Sequence, residues 1–187
     1  MAATTTVVQS ADVVAFWFAP EIQPLWFDAT PAFDEALRAR FLVTYQAAAA
    51  GQLRDWETTA EGALALVIVL DQFPLNMFRG EPESFATEAA ARAVADRAIG
   101  RQFDQALPPE RRPFLYLPFM HGETLADQER SVRLYEQPGL EESLRFARHH
   151  RALIQRFGRF PHRNAILGRP STPEELAYLA SPEAFHG

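Results

Sequence analysis

Three stretches of this 187-residue chain carry residue types that do chemistry: LDQFPLNMFRG over 70–80, YLPFMHGETLADQ over 116–128 and HHRALIQRFGRFPHRNAILGR over 149–169. His121, Glu123 and His150 are the acid–base candidates, because imidazole and carboxylate side chains transfer protons near neutral pH. Arg79, Arg159 and Arg163 suit an acidic ligand, since a planar guanidinium meets a carboxylate or phosphate with two parallel hydrogen bonds. Asp71 and Gln72 stand at the end of an apolar run, where an ionised carboxylate needs a partner. His162 and Asn164 follow on an irregular segment stiffened by Pro161, the kind of loop on which binding groups sit. Together these residues define one polar centre that binds a small acidic molecule, with or without catalysis.

Each of these residues also has a purely structural reading. A single histidine on a helix's buried stripe is more often a hydrogen-bonded core residue than a ligand. Arginines after a helix neutralise its C-terminus, and an Asp–Arg network inside a core fixes packing without binding anything. His121 and Glu123 with His150 or His162 match the residue types of a two-histidine, one-carboxylate metal triad. An H-x-E pair is common by chance, so no metal is assigned, and no cofactor.

Other chemistries are excluded by composition or motif. The chain has no cysteine, which removes disulfides, thiolate metal sites and a cysteine nucleophile. All 18 basic residues are arginine, so lysine Schiff-base chemistry is absent too. GxSxG, Walker A, GxGxxG and HExxH motifs do not occur. Ser131 and Ser143 have no spacing to a histidine that supports a nucleophile pair. A net charge of −6 argues against nucleic acid and anionic membranes as partners.

The elements that must position these groups read as helices in one domain over 1–187. The start, MAATTTVVQS, lacks the charged and apolar regions of a leader. The apolar run over 63–70 is too short to span a bilayer, and the expectation is a cytoplasmic protein. Ser10 or Asp12 caps a first helix ended by Pro20. Thr30-Pro31 opens a second, with Phe33, Leu37, Phe41 and Tyr45 at i, i+4 spacing and Gly51 as its stop. ALALVIVLDQF, apolar all round, is the buried central helix, and Pro74 is expected to end it. Further helices follow over 87–100, 123–137 and 141–157, with a short turn at Pro108-Pro109, FLYL bracketed by Pro113 and Pro118, and a capped C-terminal helix from Ser171 or Thr172. On the 141–157 helix, Phe146, His150, Leu153 and Phe157 form the buried stripe. The expected fold is all-α, about seven or eight helices in antiparallel hairpins. Such hairpin arrays also hold peptides or proteins on a concave face, which is the rival partner class.

The three stretches, followed by STPEEL, resemble the bacterial domain-of-unknown-function family nine-two-four over nearly the whole chain. The resemblance implies an all-helical fold related to tetratricopeptide-repeat proteins and brings no established activity. It adds Asn76 and Gln128 to the polar positions already named. Three departures stand out: Leu75 where the family usually has arginine, and Gly122 and Thr124 where serine and aspartate are usual.

Overall fold

In the computed structural model, which describes residues 6–185, the first helix starts where the Asp12 carboxylate accepts the Gln9 backbone N–H at 3.2 Å. Gln9, rather than Ser10 or Asp12, therefore stands at the cap, and α1 runs Ser10–Trp17. Residues 1–5, part of the stretch read for a leader, lie outside the described residues, as do 186–187. Thr30 caps α2 (Pro31–Ala49) by accepting the Phe33 amide N–H, and Gly51 follows its end at φ +70°. The i, i+4 stripe Phe33, Leu37, Phe41 and Tyr45 is buried as its spacing requires.

Thr59 caps α3 (Ala60–Val67), and the helical path does not stop at Pro74. It widens into one π turn, Ile68–Gln72, where the Phe73 N–H donates to the Ile68 carbonyl, then continues as α4 (Phe73–Met77). Proline in a regular helix lacks one N–H and crowds the carbonyl four residues back, and the widened turn relieves both problems. The carbonyl left without its helical donor, that of Leu70, accepts the Thr87 hydroxyl at 2.6 Å. Ala60–Met77 consequently forms an 18-residue apolar path long enough to cross a membrane by length and composition, but 83% of it is buried in the protein. Its apolar surface is spent on core packing.

The remaining helices are α5 (Glu88–Gly100), α6 (Phe103–Ala106), α7 (Arg112–Met120), α8 (Leu125–Tyr135), α9 (Glu141–Phe157) and α10 (Pro173–Leu179). The two prolines expected to bracket FLYL lie within α7, Pro113 in its first turn and Pro118 in its interior. No strand occurs among the described residues, so the fold is all-α.

The chain divides into two compact units. The first comprises the described residues up to Arg79 together with Glu83–Pro118. Its aromatic core joins Trp17, Phe73 and Phe114, with Trp26 locked in by an indole N–H to the Trp17 carbonyl at 2.8 Å. The second comprises Gly80–Pro82 and the chain from Phe119 onward. Here α8 and α9 pair across the Pro138-Gly139 turn, and Leu153, Ile154, Phe160 and Tyr178 form an apolar cluster. Thr172 and Glu175 exchange hydrogen bonds in a capping box that starts α10.

Gly62 has a tight role in α3. A Cβ there would lie 2.1 Å from the Trp56 carbonyl oxygen. Alanine is the better helix former by about 1 kcal/mol, yet Gly62→Ala is expected to destabilise the fold by about 1–3 kcal/mol, the usual cost of overpacking. Denaturant unfolding of the two proteins checks the sign.

Candidate functional site

In the first unit, Asp71 and Gln72 lie buried in the π turn, and the Gln72 amide donates to the Asp71 carboxylate at 2.7 Å. The arginine nearest in sequence is committed elsewhere. Arg79 grips Asp34 with two hydrogen bonds, Nε at 2.7 Å and Nη2 at 3.2 Å, and also donates to Asn76 Oδ1 at 2.9 Å. Asp34 raises the Arg79 pKa above its ordinary value. Among these candidates Gln72 bonds to Asp71, and Arg79 bonds to Asn76 as well as to Asp34.

In the second unit a carboxylate does the gathering. Glu123 precedes α8 instead of opening it, because Thr124 holds the cap by accepting the Asp127 N–H at 3.1 Å. Threonine caps a helix much as aspartate does, which accounts for one departure from the family pattern. Gly122 accounts for another, since a Cβ there would meet the Asp127 side chain at 2.7–2.8 Å. Glu123 accepts from Arg169 Nη1 at 2.6 Å, Arg169 Nη2 at 2.9 Å and the Phe160 backbone N–H at 2.8 Å. Burial works to raise its pKa, but the Arg169 and Phe160 hydrogen bonds, with the charges of Arg163 and Arg169, hold it below the usual glutamate value. Arg169 also donates to Asn164 Oδ1 and to the Phe160 carbonyl.

His150 lies beside this node. It is 6% exposed, and its Nδ1 sits 2.9 Å from the Phe146 carbonyl. That bond requires the proton on Nδ1 and leaves Nε2 as an acceptor. Burial pushes the imidazole pKa down to about 3, and the charges of His121, His149 and Arg163 push the same way against the Phe146 bond. The buried stripe around it is Ala147, His150, Leu153 and Ile154, whereas Phe146 is 42% exposed and Phe157 only part-buried. The face is thus rotated from the expected one while His150 stays inside. The Phe160 ring packs edge-on to His150, at 5.4 Å between centroids, and the buried Arg163 guanidinium lies 4.7 Å from the same ring. His162 and Phe185 complete the cluster, with the Phe185 ring 4.7 Å from His150 and 5.1 Å from His162. Gln128, fully buried, donates to the carbonyls of Met120 and Gly122, both at 2.7 Å, and so fixes the backbone on either side of His121.

Arg159, one of the expected ligand arginines, instead holds Glu175 with two hydrogen bonds at 2.7 and 2.8 Å. Glu175 is 2% exposed, and the Arg159 bonds take its pKa down to about 2 against the opposing effect of burial. Asp34, Arg169 and Glu175 were not among the sequence candidates. Glu175 had a signal in the capping pattern of STPEE, and Arg169 closes the richest of the three stretches, but Asp34 had none. Glu123 has its oxygens engaged by Arg169 and Phe160, and among the described residues no group of three or more His, Cys, Asp or Glu side chains is placed to hold a metal ion.

An all-helical chain with an arginine-locked carboxylate beside a histidine cluster is the class of protein these observations define. A family model described as "Bacterial protein of unknown function (DUF924)" matches residues 13–183, and the chain belongs to that family. It is similar to a solved structure titled as a protein of unknown function, ATU0120, from Agrobacterium tumefaciens, at 46% identity and a TM-score of 0.87 over 91% of this chain and 96% of that one. Comparison with curated proteins finds no match.

Two pH dependences follow. Glu175 is depressed from 4.5 to about 2, so its contribution is complete above pH 4.5 and is lost as pH falls towards 2. Glu175→Gln should flatten that part of the stability curve and lower stability at neutral pH. His150 is depressed from 6.5 to about 3, so the unfolded chain binds the extra proton and stability falls as pH drops from 6.5 towards 3. His150→Gln should remove that slope. Thermal unfolding across pH 2–8 reads both, and unchanged profiles would contradict the assigned environments.

Proposed function

We propose that the polar centre of the second unit binds a small acidic molecule, with His150 Nε2 as a hydrogen-bond acceptor facing it. One observation carries this reading: a buried histidine whose Nε2 is left as an acceptor, packed against the Phe160 ring over which the Arg163 guanidinium lies. The carboxylate in the cluster, Glu123, already has Arg169 bound to it. An anion arriving beside His150 would meet the Arg163 guanidinium in a poorly solvated place, where such attraction is strongest. Arg163 would supply the charge and His150 Nε2 a hydrogen-bond acceptor for a protonated group of the ligand. His121, held by the Gln128 clamp, is the second acid–base candidate.

Arg79 and Arg159 drop out of the ligand-binding set, because each is engaged by an internal carboxylate. The same engagement weakens the peptide-groove reading, which wanted these arginines open.

Native mass spectrometry of untagged wild-type protein, paired with NMR of the His150 ring during titration with lactate and malate, whose hydroxyl groups can donate to Nε2, tests the proposal. The expected result is a bound mass or a saturable shift at His150, lost in Arg163→Gln while a thermal melt shows that variant still folded. A bare protein mass together with a His150 ring indifferent to both acids would overturn it.

A further inference from the structure

A second positively charged place lies in the first unit and is built from none of the residues of the polar centre just described. Arg54, Glu57, Thr58, Arg97 and Arg101 line a cavity of about 460 Å³, within the size range of small-molecule sites. Three guanidiniums meet one carboxylate there, in a chain whose net charge is −6.

The hydrogen bonding decides what the cavity can accept. Arg97 takes both Glu57 oxygens, Nε at 2.7 Å and Nη2 at 2.8 Å, which leaves its Nη1. Arg101, one turn further along α5, spends Nη1 on the Glu57 backbone carbonyl at 2.8 Å and keeps Nε and Nη2. The Thr58 hydroxyl donates to the Asp55 carbonyl at 2.7 Å. Arg54, on the turn that precedes α3, is exposed, and among the described residues its side chain makes no hydrogen bond or ion pair. The lining thus has its carboxylate spent internally and its guanidinium N–H groups in excess. Asp96 adds a negative charge that acts on Arg97 and so moderates the field without supplying a lining acceptor.

We infer that this arginine cleft is a binding site for a small oxyanion, a molecule carrying phosphate or carboxylate groups. Glu57 is its organiser: by holding Arg97 through its side chain and Arg101 through its carbonyl, it sets two guanidiniums in place before the ligand arrives, which lowers the ordering cost of binding. Arg54, exposed on the same lining, would add a third guanidinium to the anion. The inference stands apart from the histidine cluster and does not depend on it.

Isothermal titration of the full chain with inorganic phosphate and, separately, with succinate tests it. Wild type should bind at least one of the two saturably. Arg54→Ala and Arg101→Ala should each weaken that binding by about tenfold or more, as expected for losing a charge-assisted contact, with thermal midpoints unchanged because both side chains are exposed. His150→Gln should bind as wild type does. Preference for phosphate would assign a phosphate ester, and preference for succinate a carboxylate ligand. Absence of saturable binding, binding that both arginine variants retain in full, or binding lost in His150→Gln instead would each overturn the inference.

Discussion

The Glu123 carboxylate is the constraint on which the second unit's polar centre depends. It joins a residue just before α8, the backbone just after α9 and Arg169 ahead of α10 through three hydrogen bonds of 2.6–2.9 Å. Removing one partner of this half-buried pair leaves a partly desolvated charge without its main hydrogen bonds. Because the Phe160 amide is one of the three donors, the ring of Phe160 is fixed as well. That ring is the wall against which His150 packs and over which the Arg163 guanidinium lies. A bond made for architecture therefore also sets the geometry of the histidine cluster.

Arginine content turns out to be a poor count of anion sites. Arg79, Arg97, Arg159 and Arg169 are each held by two hydrogen bonds to an internal carboxylate, of Asp34, Glu57, Glu175 and Glu123 respectively. The fork geometry that makes arginine good at binding acidic ligands makes it equally good at joining helices and loops. What distinguishes a binding place is charge left over after the internal pairs are made. In the cleft lined by Arg54, Arg97 and Arg101, the Glu57 carboxylate is consumed by Arg97.

The π turn at Ile68–Gln72 shows how local chemistry and tertiary packing settle a conflict. Proline at position 74 calls for a stop, while an unbroken apolar sequence calls for burial along its full length. Widening one turn and handing the Leu70 carbonyl to the Thr87 hydroxyl satisfies both demands. It also places Asp71 and Gln72 side by side in the interior, where the Gln72 amide donates to the Asp71 carboxylate.

The all-helical class, most caps and stops, the buried run after Thr59 and the inward direction of His150 were legible because they rest on local rules: side-chain caps, glycine at positive φ and the spacing of apolar residues. The family was legible from long linear motifs. What was not legible is who pairs with whom. Asp34 with Arg79 and Glu123 with Arg169 lie 45 and 46 residues apart, and no periodicity links them. A sequence shows that Arg79, Arg159 and Arg163 carry charge, but only the packed helices decide which carboxylate reaches which guanidinium first. Burial is likewise a tertiary property: it is the surrounding protein, not the imidazole, that takes His150 down to about 3. The sequence by itself determined the helices and the inventory of chemical groups. The tertiary structure decided which of those groups are spent on holding the fold, because pairing depends on distances that only packing creates.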